Sequence, residues 1–226
     1  STNYEQTLIS ESYQVDNQKI KQINPGVDYE LFVPDLSIER ENIFLSIGRI
    51  QQQKGQLETL RFLNSFKEVE TDFMCYFVGG PSGSSGDEYL SELKESVKEL
   101  SLSSHVEFLG NLPQVDIRNL LNSAKLLIHT SQYETFGLVA IEANSMGVPV
   151  LTTNNGSMQE IITNKENGYL VDGLDYQDVS ISIKNLINDD QYFEERMINC
   201  MNKSKDYKWE NTVDKLLDLY QEAKFS

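Results

Sequence analysis

The chain has 226 residues, of which 39% are hydrophobic and 24% are charged. This is enough for one globular domain with a sizeable core and short for two full domains. The formal net charge of −16 argues against a nucleic-acid-binding surface, which needs a basic face, and means that a bound anion must rely on local donors. No apolar run approaches the ~18 to 20 residues that span a bilayer, and no signal segment opens the sequence. We therefore expect a cytoplasmic protein that does not bind nucleic acid.

The cysteines and histidines give no support for a metal or redox site. Cys75 and Cys200 lie far apart and form no C-x-x-C pair, and Cys75 falls in an apolar run where a buried reduced thiol is expected. His105 begins a predicted strand and His129 ends one, without the spacing of metal ligands, so structural roles are favoured for both. The sequence also contains no D-x-D triplet. We expect neither a metal nor a cofactor.

Hydrophobic patterning predicts strands that alternate with helices along most of the chain. Residues 1–19 are polar and weakly patterned, residues 19–23 resemble a short strand, and residues 24–28 form a strong turn signal. Strands are predicted at 43–47, 73–78, 105–109, 125–130, 148–152 and 168–171. Helices are predicted at 56–68, 87–100, 117–124, 137–146, around 160–162, and at 175–187, 191–201 and 209–222. This alternation predicts an α/β fold, a doubly wound parallel sheet of the Rossmann-like type.

The most informative stretch, residues 131–150, lies between two of the predicted strands. The strand–loop–helix–strand pattern is typical of two parallel strands joined by a right-handed crossover. On the helix, Leu138, Glu142 and Met146 share one face, so the Glu142 carboxylate sits in an apolar stripe. Burying an unpaired charge is costly, and we therefore expect the site to supply hydrogen-bond donors to it.

The loop that opens this helix carries a second carboxylate, Glu134. The backbone N–H groups of Phe136, Gly137 and Leu138 fall in the first turn of the predicted helix, where free donors and the helix dipole favour an anion. Spacing alone is equally compatible with a structural interpretation. In that case Glu134 merely interacts with the helix dipole, and Glu142 points to solvent at the rim of the apolar face.

Two cations follow the first predicted strand, in the motif Gly48-Arg49-x4-Lys54-Gly55. They lie at the carboxyl end of a strand, where open α/β sheets bind ligands. Arginine offers a planar fork to phosphate and lysine a compact charge, although an isolated pair in a loop is usually just solvated. The glycine-rich loop at 79–86 lacks both the G-x-G-x-x-G spacing and the lysine of a P-loop, which favours a lid or connector.

The string Glu134-Thr-Phe-Gly-Leu-x-x-x-Glu142-Ala, followed by Gly147-x-Pro-Val, resembles the E-x7-E signature of retaining glycosyltransferase family 4, the group 1 glycosyltransferases. The motif at 48–55 is similar to a segment of the same family, and the resemblance covers roughly residues 20–222. It implies one half of a GT-B fold, the carboxy-terminal domain that binds a nucleotide sugar. Residues 1–23 would then be a remnant of an amino-terminal domain and 24–37 a hinge. Residues 38–207 would be the donor domain, and 208–226 a terminal helix crossing towards the first domain.

The resemblance implies the donor-binding half of a metal-independent enzyme that moves a hexosyl unit from a UDP-sugar, with retention, to a glycan, lipid or small-molecule acceptor. This part alone is expected to be inactive, and peripheral membrane association of the full-length enzyme is left open. Glu134 would be the catalytic residue near the donor sugar, Arg49 and Lys54 would hold the diphosphate, and Glu142 would accept hydrogen bonds from the ribose. The backbone near Leu112 would contact the uracil base. The full donor-binding set is Gly48, Arg49, Lys54, Leu112, Thr135, Phe136, Gly137, Leu138 and Glu142.

One departure and two alternatives accompany this resemblance. Gly156-Ser157 replaces the paired glycines that are usual in the family, which puts the shape of the donor-sugar pocket in question. The competing hypothesis is a non-catalytic sugar-nucleotide-binding subunit of a glycosyltransferase complex. The reading frame upstream of Ser1 separates the two, since about 150 to 200 further residues forming another α/β domain would favour the enzyme. A GT-B-type sugar-nucleotide epimerase would need acid and base groups that the sequence does not display.

Overall fold

A six-stranded parallel sheet forms the centre of the computed structural model, which describes residues 2–173 and 176–225. The strands are β1 Ile43–Ile47, β2 Met74–Val78, β3 Val106–Gly110, β4 Leu126–His129, β5 Val150–Thr153 and β6 Gly168–Val171. Their order is β3-β2-β1-β4-β5-β6, and each neighbouring pair is parallel. This confirms the predicted doubly wound α/β fold. The order reverses between β1 and β4, the place where such sheets bind ligands.

Helices cover both faces of this sheet. They are α1 Asn3–Tyr13, α2 Gln56–Phe66, α3 Gly86–Glu99, α4 Gln114–Ser123, α5 Leu138–Ser145, α6 Met158–Ile161, α7 Gln177–Asn188, α8 Asp190–Ser204 and α9 Trp209–Phe225. On β1, the fully buried Phe44 belongs to the hydrophobic cluster that includes α2, α3 and α7, and its neighbour Leu45 belongs to the cluster that includes α4 and α5. Because β1 is buried on both faces, it appears in the sequence as an apolar run interrupted only by Ser46.

The predicted boundaries agree with the structure to within a few residues over most of the chain. All six predicted strands are present, and β1 and β6 have the predicted bounds. Helix α4 begins at Gln114, three residues earlier than predicted, because its first turn follows Pro113 on a solvent-exposed stretch that the apolar spacing does not mark. Helix α8 begins at Asp190, where the Asp189 side chain caps it by accepting from the Tyr192 N–H. The predicted start of α7 at Asp175 lies outside the described residues.

The amino-terminal region differs from the prediction. The strand predicted at 19–23 is wrong, because Asn17–Lys19 forms a 3-10 turn and the following residues join no strand. Helix α1 was not predicted, since none of its residues is buried and its sequence therefore lacks apolar periodicity. A turn is predicted at 24–28, but the structure has it at 28–32. There the Phe32 N–H donates to the Asp28 carbonyl oxygen.

The last helix leaves part of its apolar surface uncovered. The exposed apolar side chains on α9 include Trp209, Val213, Leu217 and Tyr220. Whether α9 crosses to another domain stays a prediction, as do the predicted domain boundaries. Among the described residues, no helix is both long enough and apolar enough to cross a bilayer.

Candidate functional site

A cavity of about 400 Å³ opens at the carboxyl edge of the sheet, at the point where the strand order reverses between β1 and β4. It brings together nearly all the predicted site residues. Those that line it are Gly48, Arg49, Lys54, Glu134, Thr135, Phe136, Gly137, Leu138 and Glu142. Leu112 does not line it and lies in the loop after β3, two strands away from β1. The contact of Leu112 with a base therefore stays a prediction.

The loop after β1 brings the two cations to the cavity. A 3-10 turn at Gln52–Lys54 ends at Gly55, whose φ is +70°. A Cβ at this position would come within 1.9 Å of the Thr130 carbonyl oxygen, so that only glycine allows the loop to approach the end of β4. Arg49 is exposed, and no carboxylate in the described part of the chain forms an ion pair with it. Its guanidinium is therefore available to an anionic ligand.

Glu134 is held by two donors on one of its oxygens. Its Oε2 accepts from Lys54 Nζ at 2.8 Å and lies 3.2 Å from His129 Nε2. Burial alone would raise the pKa of Glu134, but the hydrogen bonds from His129 and Lys54 outweigh it and lower the pKa to about 2. The other oxygen, Oε1, has no partner among the described residues. Glu134 is thus an ionised carboxylate with one oxygen free to accept from a ligand.

The first turn of α5 provides a set of unpaired backbone donors. Gly137 precedes the helix with a φ of +90°, and a Cβ there would lie 2.8 Å from Met158 Sδ. In the described part of the chain, no acceptor pairs with the backbone N–H groups of residues 136–139. Unpaired N–H groups at a helix start, with the helix dipole behind them, favour an anion. This agrees with the donor arrangement predicted from the sequence.

Glu142 lies one turn further along α5 and is the second carboxylate of the cavity. Burial raises its pKa to about 7. We expected the protein to supply hydrogen-bond donors to this carboxylate. That expectation is wrong, because none of the described side chains or amides donates to it. The predicted apolar stripe is also discontinuous, since Leu138 is 42% exposed at the cavity while Met146 is buried.

His129 is a residue of the site that the sequence does not predict. A structural role is expected for it, yet it lines the cavity, is only 6% exposed and contacts Glu134 directly. A usable signal was present, because His129 ends a strand at the same sheet edge as Arg49. The pairing of Lys54 with Glu134 was also not predicted.

The departure at Gly156-Ser157 has a structural counterpart: Ser157 is buried, and its Oγ donates to the Glu134 carbonyl oxygen at 2.9 Å.

The cysteines lie away from this cavity. Cys75 and Cys200 are buried free thiols, as expected for Cys75, and burial raises the pKa of both. Within residues 2–173 and 176–225, no group of three or more His, Cys, Asp or Glu side chains is arranged to hold a metal ion.

Comparison with known sequences identifies a family match over most of the chain. The family described as glycosyl transferases, group 1, matches residues 29–204. A D-inositol 3-phosphate glycosyltransferase from Corynebacterium urealyticum is 32% identical over 235 residues, covering 98% of this chain and 55% of the relative. The enzyme of the same name from Nocardioides sp. is 28% identical, covering 99% of this chain and 53% of the relative. The chain therefore spans about half the length of these curated relatives.

Solved structures share the same fold. HepE from Anabaena, crystallised in complex with UDP and glucose, superposes with a TM-score of 0.84 at 22% identity, covering 99% of this chain and 61% of HepE. The C-terminal domain of LpcC, a glycosyl transferase group 1 family protein from Francisella tularensis, gives a TM-score of 0.69 at 25% identity. That match covers 81% of this chain and 99% of the LpcC domain.

Proposed function

The chain belongs to the group 1 glycosyl transferases and has the fold of one half of a GT-B protein, and we propose that it is the donor-binding half of a retaining hexosyltransferase that uses a UDP-sugar. The acceptor would be a glycan, a lipid or a small molecule. One observation carries the proposal: a single cavity combines unpaired backbone amides, two cations and two carboxylates with opposite pKa shifts. These groups match the phosphate, ribose and sugar parts of such a donor.

The diphosphate of the donor would bind between Arg49 and the start of α5. The cavity is lined by three kinds of donor: the free guanidinium of Arg49, the ammonium of Lys54 and the amides of residues 136–139. Local donors are needed because the net charge of −16 repels anions at long range. As the bond from the anomeric carbon to the diphosphate breaks, negative charge develops on the leaving oxygen. Fixed donors in a partly desolvated site stabilise that charge.

Glu142 would accept hydrogen bonds from the ribose hydroxyls. Its carboxylate is desolvated, and its pKa is raised to about 7 because no protein donor offsets the burial. A ribose has two neighbouring hydroxyl groups, and an ionised carboxylate has two acceptor oxygens. Donor binding would thus provide the hydrogen bonds that the protein does not and would favour the charged form of Glu142.

Glu134 would act on the donor sugar. Its Oε2 is engaged by Lys54 and His129, so the remaining oxygen is the one able to accept from a sugar hydroxyl or to face the developing cation at the anomeric carbon. The low pKa of about 2 keeps this group ionised throughout the working range. It is therefore suited to electrostatic stabilisation, not to proton donation.

Titration of the isotope-labelled chain with UDP, followed by amide NMR, tests the proposal. We expect the largest shifts at residues 136–139, smaller effects with UMP, and little effect with uridine, because most of the donors face the diphosphate. A shift at Leu112 would support the predicted contact with the base. UDP-dependent shifts confined to another surface would contradict the proposal.

A further inference from the structure

The amino end of α1 is attached to α6 through Glu160. The backbone N–H and Nδ2 of Asn3 donate to Glu160 Oε2 at 3.1 and 2.9 Å. The Tyr4 N–H donates to the other oxygen, Oε1, at 3.1 Å. A carboxylate at a helix N-terminus gains both from these otherwise unpaired donors and from the helix dipole. Because α1 buries none of its own residues, its attachment depends on such polar contacts.

The same end of α1 also contacts the loop that carries Glu134. Thr2, which caps α1, is only 2% exposed, and its Oγ1 donates to the Thr135 carbonyl oxygen at 3.1 Å. The Tyr4 ring meets the Tyr133 ring edge-on, with 6.1 Å between the centroids. Residues 2–4 therefore contact the chain on both sides of Glu134.

A third contact links α6 to the Glu134 loop, the two parts of the chain that the amino end of α1 contacts. Ser157 immediately precedes α6, and its Oγ donates to the Glu134 carbonyl oxygen at 2.9 Å. Helix α1, the start of α6 and the Glu134 loop thus form a closed ring of hydrogen bonds. Glu160 itself does not line the cavity, so its position suits a supporting role rather than contact with a ligand.

We propose that Glu160 is a positioning residue: by anchoring α1, it holds the Glu134 loop and the free amides of α5 in their binding geometry before a ligand arrives. A loop that is already ordered loses less conformational entropy when it binds. The identity of the ligand rests on the proposed function, whereas the ordering of the loop does not. The two ideas therefore require different measurements.

Hydrogen exchange of the ligand-free chain measures the ordering directly. We expect Glu160→Ala to accelerate amide exchange both in α1 and at the hydrogen-bonded amides that bound the Glu134 loop, those of Gln132 and Ala140. The matched control is Glu166→Ala, which removes the same carboxylate from an exposed residue whose side chain has no partner among the described side chains and amides. This control should exchange like the wild type. Acceleration confined to α1 would overturn the proposal. If Glu160→Ala does not fold, as judged by circular dichroism, Glu160→Gln provides the same comparison.

A second pair of variants tests the direct link between α1 and the Glu134 loop. Thr2→Val removes the hydroxyl that donates to Thr135 and should accelerate exchange in the loop, whereas Thr2→Ser keeps the hydroxyl and should restore wild-type exchange. A loop that responds to neither Thr2→Val nor Glu160→Ala would contradict positioning.

UDP affinity gives the functional readout. Glu160→Ala should weaken UDP binding about tenfold, because ordering one or two loop residues on binding costs about that factor. Equal affinity for the wild type and Glu160→Ala would overturn the positioning role while leaving the proposed function intact. Conversely, a wild-type chain that binds no UDP but shows the expected exchange pattern would contradict the proposed function and support the positioning.

Discussion

Lys54 Nζ lies 2.8 Å from Glu134 Oε2, and this ion pair joins the loop after β1 to the loop after β4 where the strand order reverses. In the ligand-free chain, the cation proposed for the diphosphate is therefore partly neutralised by the carboxylate proposed for the sugar. A bound diphosphate would compete with Glu134 for Lys54. The roles of these two residues are consequently coupled.

Glu134→Gln should separate catalysis from UDP binding. The amide keeps the size of the side chain but lacks the charge that would face the anomeric carbon, so we expect turnover of the full-length protein to fall about 10²- to 10³-fold. UDP affinity should not fall, because the uncharged amide no longer competes with the diphosphate for Lys54. Steady-state kinetics and a UDP titration measure the two effects. A collapse of UDP binding would refute the role assigned to Glu134.

The ion pair should also make stability depend on acid pH. The pKa of Glu134 is about 2 in the folded chain and nearer 4.5 when unperturbed, so the unfolded state binds the proton first as the pH falls. The stabilisation is therefore complete above about pH 5 and is lost as the pH falls towards 2. At pH 7 the wild type should be more stable than Glu134→Gln by up to about 3 kcal/mol. Urea unfolding at pH 7 and pH 3 should show this difference shrinking, and a constant difference would argue against the pairing.

The contribution of Glu142 to folding stability should depend on pH in the opposite direction to that of Glu134, and Glu142→Gln tests this. The pKa of Glu142 rises to about 7 in the folded chain, so between about pH 4.5 and 7 the native state holds a proton that the unfolded state has lost. The contribution of Glu142 to stability therefore falls as the pH rises through this window. We expect Glu142→Gln to be about 1 to 3 kcal/mol more stable than the wild type at pH 8, with little difference at pH 4.

Denaturant unfolding at the two pH values measures the gain, and the exposed Glu166→Gln serves as the control. The same Glu142→Gln protein should bind UDP more weakly, because the ribose loses its charged acceptor. A more stable protein with undiminished UDP affinity would contradict the ribose contact.

Gly137→Ala should damage the amide donors at the start of α5. The new Cβ would meet Met158 Sδ at 2.8 Å, in addition to the strain of a φ of +90°. Gly110→Ala is a matched control, since Gly110 has a φ of +71° but open space around it. Both changes should cost about 1 kcal/mol through the backbone. Gly137→Ala should cost more and should also abolish UDP binding, as measured by unfolding and titration. Equal stability losses would show that Met158 simply moves aside.

The sequence predicts β1 because this strand is buried on both faces. In β1, Phe44 and Leu45 face opposite hydrophobic clusters, and such a run cannot be mistaken for a loop. The same reasoning fails for α1, which buries no residue and therefore has no apolar period to detect. The cap at Thr2 was a weak signal without that period.

The contacts within the site depend on strand order, which periodicity does not provide. Lys54 and Glu134 are 80 residues apart and meet only because β1 and β4 are neighbours in the sheet. The individual residues could be predicted from the motifs at 48–55 and 134–142. Their pairing, the involvement of His129 and the absence of a donor for Glu142 required the three-dimensional arrangement.

Calorimetric titration of the chain with UDP tests the central claim most directly, using the wild type, Arg49→Ala, Glu142→Ala and the control Arg118→Ala. The control Arg118→Ala also removes one arginine charge, but from α4, outside the cavity. We predict that the wild type binds UDP, that Arg49→Ala and Glu142→Ala each weaken binding about tenfold or more, and that Arg118→Ala has no effect. A folded wild type without measurable affinity, or equal affinities in all four proteins, would contradict the account.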